Sequence, residues 1–122
     1  MSITVDDYRS AVSEHDLQSA LVEYLEQFPG IYVFAIPNAG FRTLRMGARM
    51  KREGMRAGMA DLGIMLPAGR IGWLEIKRPK AGRQSVQQKA FQQRCLRLGH
   101  PYAIVRSMDE AERILRLWGA LK

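Results

Sequence analysis

The sequence predicts an α/β fold: a mixed central sheet that contains a hairpin and is flanked by helices, in the order helix, strand, helix, two hairpin strands, helix, strand, helix. Three observations carry this expectation. Two runs of strand-forming residues, Leu62 to Leu66 and Ile71 to Lys77, are separated only by Pro67-Ala68-Gly69-Arg70, a turn-rich link that implies an antiparallel hairpin. Segments with apolar residues at helical spacing lie on both sides of these runs. No repeat or low-complexity tract interrupts the alternation.

The first helix is expected to open at Ser13, an N-cap with Asp16 three residues on. Leu17, Leu21, Leu25 and Phe28 form its inward stripe until Pro29-Gly30 stops it. Glu14 falls on nearly the same face, seven residues before Leu21, whereas Glu23 and Glu26 point away. An acid on an inward face needs a partner, because burying a lone charge is costly; the alternative is an ordinary first-turn acid favoured by the helix dipole. Ile31 to Ile36 reads as a buried strand closed by Pro37-Asn38-Ala39-Gly40. Leu44 to Glu53 favours a helix with Gly54 as its stop.

After the hairpin and the basic loop Arg78-Pro79-Lys80-Ala81-Gly82-Arg83, Ser85 caps a helix that runs to Leu98, with Gly99 as its stop. Phe91, Cys95 and Leu98 mark its inward stripe, and Gln88 lies near that stripe at the end facing the loop after Lys77. Tyr102 to Val105 is a short strand. Ser107-x-x-Glu110 is a capping box that opens a last helix with Ala111, Ile114, Leu115 and Trp118 apolar.

With 122 residues, 47% of them hydrophobic and 25% charged, the chain is sized for a single globular domain spanning residues 1–122. No apolar run approaches the ~20 residues of a membrane span, and MSITVDDYRS lacks the pattern of a secretory signal, so a cytoplasmic location is expected. Cys95 is the single cysteine, which excludes an internal disulfide and a cysteine-based zinc site and favours a packed thiol. His15 has at most a supporting part beside Glu14, and His100 none.

The net charge of +7 points to a polyanionic partner, nucleic acid first. Between Arg42 and Arg56 six basic residues face one acid, Glu53, so this stretch holds five of the seven net charges. Arg42, Arg45, Arg49 and Arg52 are spaced to align on one side of the helix, where guanidinium groups would suit phosphates; a solvated face is the alternative. Met46, Met50, Met55 and Met59 beside them suit adaptable packing or a dimer surface.

Asp61 and Glu75-Ile76-Lys77 carry the chemistry. Alternate residues of a strand share a face, so Glu75 and Lys77 project together, with Trp73 beside them. If Leu66 pairs with Ile71, Asp61 falls opposite Ile76 and diagonal to Glu75 and Lys77; a slip by one residue sets it directly opposite Glu75. Either register leaves roughly 5 to 8 Å between Cβ atoms, within reach of one shared ion if the strand end bends. The competing interpretation is an exposed cross-strand ion pair with Asp61 as a turn residue.

Glu14, Gly54-x-x-x-Gly58-x-Ala60-Asp61, Glu75-x-Lys77 and Ser85-x-x-Gln88 with Phe91 together resemble a stand-alone virus-type replication-repair nuclease (VRR-NUC) domain of the PD-(D/E)xK superfamily, from about Ser13 to Ile114. The resemblance implies a restriction-endonuclease-like core. It implies that Asp61, Glu75, Glu14 and the Ile76 carbonyl hold Mg²⁺ or Mn²⁺, that Lys77 orients the attacking water, and that Gln88 supports Lys77 or the water. Asn38, Arg42, Arg45, Arg49, Arg52 and Arg78 would contact DNA. One departure is Ala60, where the family usually has proline; slightly looser geometry is expected there.

Short stand-alone members are similar to homodimeric junction-resolving nucleases, which implies a structure-selective endonuclease on four-way junctions in a bacterial or phage-infected cell. A sequence-specific, restriction-like nuclease and a non-catalytic nucleic-acid-binding module are the alternatives; an enzyme on small phosphoesters fits the long arginine stripe poorly.

Overall fold

The computed structural model describes residues 13–37, 43–78 and 82–122. Its elements are α1 (Glu14–Leu25), β1 (Val33–Ala35), α2 (Leu44–Arg52), β2 (Leu62–Leu66), β3 (Arg70–Ile76), α3 (Val86–Arg97), β4 (Tyr102–Val105) and α4 (Met108–Leu117), the order that the sequence predicts. Each helix opens on a hydroxyl cap: Ser13, Thr43, Ser85 and Ser107 each accept a backbone N–H from three residues on.

The four strands form one sheet in the order β1-β2-β3-β4. The first two pairings are antiparallel and the third is parallel. A parallel neighbour requires a crossover, which α3 supplies between β3 and β4. Helices cover both faces. Leu17, Leu21 and Leu25 of α1 and Met108, Ala111 and Leu115 of α4 pack on Leu62, Ile64, Leu74 and Ile76. On the other face Trp73 meets Ala60 and Cys95, with Phe34, Phe91 and Tyr102 around them. Glu75 and Lys77 share the Trp73 face, beneath α3, and their exposures of 1% and 9% remove the exposed ion pair as an option.

Several expectations about local structure are corrected. The β2–β3 register pairs Leu66 with Arg70 and Leu62 with Leu74, one residue from the Leu66–Ile71 pairing, so the slipped alternative is realised. The connection closes in three residues, Pro67–Gly69, because Ala68 (φ 67°) and Gly69 (φ 72°) both take the left-handed conformation. The strand expected over Ile31–Ile36 is regular at Val33–Ala35, with the Tyr32 carbonyl and the Ile36 N–H still bonded to the Met65 N–H and the Asp61 carbonyl; among the described residues it is an edge strand, half-buried rather than buried. Helix α1 ends at Leu25, and Phe28 reaches the core from the turn beyond it, edge-on to Tyr24. Leu98 is the C-cap of α3 and 67% exposed, so it leaves the inward stripe. Glu110 Oε1 accepts the Arg106 N–H at 3.0 Å, one residue earlier than a capping box requires.

Helix α2 differs from the others, since none of its residues is buried. A cavity of about 970 Å³ separates it from residues 54–59 and is lined by Leu44, Gly47, Met50, Met55 and Met59 among others.

Candidate active site

Asp61 precedes the first residue of β2, and the register continued by one position sets it opposite Glu75. Its Oδ2 accepts the Ile76 N–H at 2.7 Å, which fixes the carboxylate at the end of β3. Glu75 Oε2 lies 3.4 Å from Lys77 Nζ and accepts from Gln88 Nε2 at 2.5 Å. Gln88 is the third residue of the α3 capping box: its Oε1 accepts both the Ser85 N–H at 2.8 Å and Lys77 Nζ at 3.2 Å. With Oε1 accepting twice, the amide nitrogen is left to face Glu75. One side chain therefore caps a helix, holds the lysine and holds the acid.

Asp61, Glu75, Ile76, Lys77 and Gln88 line a cavity of about 350 Å³ together with Glu14, His15 and Gln18 from the first turns of α1. Among the described residues the larger cavity under α2 has no acidic or histidine side chain in its lining, so it lacks the donors for a metal ion.

Burial pushes the Glu75 carboxyl up from 4.5 to about 7, and the neighbouring Asp61 charge adds to the rise; Lys77 and the Tyr102 hydroxyl oppose it. Asp61 is also raised, by burial first and to a lesser extent by Glu14, against the Ile76 N–H and Lys77. Two acids that resist ionisation side by side cost the folded protein stability, so their pairing makes this cavity the candidate site.

No protein-family model matches the chain, and no curated protein matches it. Solved structures match its fold, among them the following two. A "VRR_NUC domain protein" superposes with a TM-score of 0.72 at 20% identity, covering 88% of this chain and 88% of that one. A "VRR_NUC domain" superposes with a TM-score of 0.62 at 23% identity, covering 87% of this chain and 97% of the other. The chain has the VRR-NUC fold. That fold is a restriction-endonuclease-like one, as the motif order implies.

Within the VRR-NUC fold, Gly58 explains the spacing of the segment that leads to Asp61. It has φ +82°, and a Cβ there would stand 2.4 Å from the Gln87 backbone carbon. Only glycine lets this segment run against the first turn of α3. Ala60 is fully buried beside Trp73 and Cys95. Cys95 is 4% exposed, and burial pushes its thiol up to about 11, as a packed and unreactive thiol requires.

The structure brings Glu14, Asp61, Glu75, Ile76, Lys77 and Gln88 to one cavity. Among the described residues it does not bring Arg45, Arg49, Arg52 or Arg78 there. Arg45, Arg49 and Arg52 lie on α2 and are exposed, and Arg49 pairs with Glu53 at 3.8 Å. Arg78 is exposed just beyond Lys77, and its carbonyl accepts from Arg106. Asn38 and Arg42 lie outside the described residues. Among the described residues no group of three His, Cys, Asp or Glu side chains is arranged to hold a metal ion, so Glu14 shares the cavity without closing a three-acid cage.

Sequence reasoning missed Gln18, Tyr102 and Gln84. Tyr102 faces Glu75 Oε1 at 3.4 Å, and Gln84 Nε2 donates to the Tyr102 hydroxyl at 3.2 Å. Burial and the Glu75 charge both push the Tyr102 phenol up, so it stays protonated. The one available signal was a polar-tipped aromatic opening the strand after α3; its partner depends on a register that sequence does not specify.

Proposed function

We propose that the protein is a metal-dependent, structure-selective DNA endonuclease that hydrolyses phosphodiester bonds, acting as a homodimer on four-way junctions. The convergence of Asp61, Glu75 and Lys77 in one cavity, with Gln88 tying Glu75 to Lys77 and the Ile76 N–H holding Asp61, carries this reading. The VRR-NUC fold supports it.

The donors suit Mg²⁺ or Mn²⁺. All are oxygens, and the raised Glu75 carboxyl is the condition a cation would relieve. Asp61 and Glu75 would hold the ion, with Glu14 and the Ile76 carbonyl completing the set. Once bound, the ion would lower the pKa of a water and offset charge on the phosphate oxygens. Lys77, fixed by Gln88 and Glu75, would orient the attacking water and counter the negative charge that builds on the oxygens of the phosphorane-like transition state.

Arg45, Arg49 and Arg52 would grip backbone phosphates, with Arg78, Arg42 and Asn38 as further contacts. Such contacts position DNA without reading bases, so selectivity would come from shape. A twofold dimer would supply the paired cuts that a junction requires. The exposed Leu44, Met46 and Met50 of α2 offer an apolar face for a second copy. A cytoplasmic location fits the described helices, none of which is long and apolar enough to cross a membrane. A purely DNA-binding module fits less well, because burying Glu75 next to Asp61 gains it nothing and repels phosphate.

Purified protein incubated with a labelled four-way junction and a matched linear duplex, with Mn²⁺, tests the proposal. Paired nicks in the junction that disappear in Lys77→Ala are expected. No cleavage by wild type, or equal cleavage by Lys77→Ala, refutes the enzyme reading; equal cleavage of the duplex refutes the structure selectivity.

A further inference from the structure

We infer that Tyr102 is a positioning residue that holds one oxygen of the Glu75 carboxylate while Gln88 holds the other, with Gln84 aiming the Tyr102 hydroxyl. The inference rests on the reading of Glu75 as a metal ligand. Glu75 Oε2 is taken by Gln88 at 2.5 Å and by Lys77 at 3.4 Å. Its Oε1 faces the Tyr102 hydroxyl at 3.4 Å. The carboxylate is therefore approached from both ends, which restricts its rotation about the side-chain axis.

The direction of the hydrogen bonds follows from the inventory of the groups. A phenol has one proton to donate and accepts through its lone pairs. Gln84 Nε2 donates to the Tyr102 oxygen at 3.2 Å and to Gln92 Oε1 at 2.8 Å. An amide N–H pointing at the phenol oxygen leaves the phenol proton for Glu75. The chain of donation runs from Gln84 through Tyr102 to the acid.

The ring is held independently of this chain. Tyr102 is the β4 partner of Trp73 in the parallel register, two residues from Glu75 on the same face of the sheet. It packs edge-on to Phe91 with centroids 6.2 Å apart, and Phe91 packs edge-on to Trp73 at 5.2 Å. Removing the hydroxyl alone leaves this row intact. Groups that orient a metal-binding carboxylate are worth about 10 to 100-fold in metal affinity, and the long Tyr102 contact places it at the lower end, about 10-fold.

The test is Mn²⁺ titration followed by the rise in melting temperature, with direct Mn²⁺ binding measured in parallel, on wild type, Tyr102→Phe and Gln84→Leu. Wild type is expected to gain stability with Mn²⁺. Tyr102→Phe is expected to melt at the metal-free wild-type temperature and to need about 10-fold more Mn²⁺. Gln84→Leu, which leaves the aromatic row alone, is expected to shift in the same direction by less. A wild type that responds to Mn²⁺ beside variants with unchanged midpoints overturns the inference and leaves the metal reading standing. A wild type that neither binds Mn²⁺ nor gains stability overturns the metal reading and this inference with it. If Tyr102→Phe melts well below wild type without metal, the Gln84→Leu midpoint decides alone.

Discussion

Glu75→Gln separates an acid kept for function from an acid kept for stability. The folded protein binds a proton at Glu75 more tightly than the unfolded chain does, since the carboxyl rises from 4.5 to about 7. The sign follows from linkage: stability is fully present below about pH 4.5 and is lost as pH climbs through about 7. The loss is worth at most about 3 kcal/mol, at roughly 1.4 kcal/mol per unit. Glutamine cannot ionise, so the variant has no such slope. Its carbonyl can still accept from Gln88, and its amide can donate to the Tyr102 oxygen; it gives up the ion pair with Lys77, which remains in the field of Asp61.

Metal-free Glu75→Gln is therefore expected to match wild type at about pH 5 and to exceed it at about pH 8 by up to about 3 kcal/mol, on the order of 10 °C for a domain of this size. Urea unfolding followed by circular dichroism at both pH values measures it. Added Mn²⁺ should stabilise wild type at the higher pH and leave the variant unchanged, and the variant should not cleave DNA. A variant less stable than wild type by the same margin at both pH values would refute the reasoning, because Glu75 would then be a structural partner of Lys77.

Three further perturbations test other parts of the geometry. Gly58→Ala places a Cβ against the Gln87 backbone at φ +82°, so a loss of at least about 2 kcal/mol is expected, read as a fall in urea midpoint. Cys95, buried and pushed up to about 11, should be thiolate in only about one molecule in a thousand at about pH 8, so iodoacetamide should label it in urea and not in the native protein. Replacing Arg45, Arg49 and Arg52 together by alanine should weaken junction binding and flatten its log–log salt dependence by about 0.9 for each phosphate that the variant no longer neutralises, with cleavage at saturating DNA largely kept.

Those features of the fold that repeat within one element were legible in the sequence. The Leu17, Leu21 and Leu25 stripe gave α1 its direction and placed Glu14 on the same side, and the turn residues after Leu66 announced the hairpin. Register was not legible, because it depends on Ala68 entering the left-handed region, which alanine gives no sign of doing. The burial of β1 was not legible, because apolar residues do not say how many neighbours a strand has, and among the described residues β1 has one. The charge run on α2 was plain, yet nothing local says that a helix so patterned buries none of its residues. In the site, Asp61, Glu75 and Lys77 were found by spacing, whereas Tyr102 reaches Glu75 across 27 positions and depends on pairing that only the folded sheet supplies.

The first turn of α3 bears on the backbone around Ala60, the position where the resemblance implies a proline. Proline before an aspartate restricts the backbone that aims the carboxylate. Here three other constraints bear on the same residues. Gly58, three residues before Asp61, is pressed against the Gln87 backbone. Ala60 is fully buried in the cluster with Trp73 and Cys95. Asp61 itself is tied to the Ile76 N–H at 2.7 Å. The residue after Gln87 is Gln88, which holds Glu75 and Lys77 from the other side. One helix end, fixed by the Ser85 capping box, thus sets the approach of Asp61 and the orientation of Glu75 and Lys77 together. It follows that damage to this cap should misplace both halves of the site at once, whereas a change confined to position 60 should leave their relation intact.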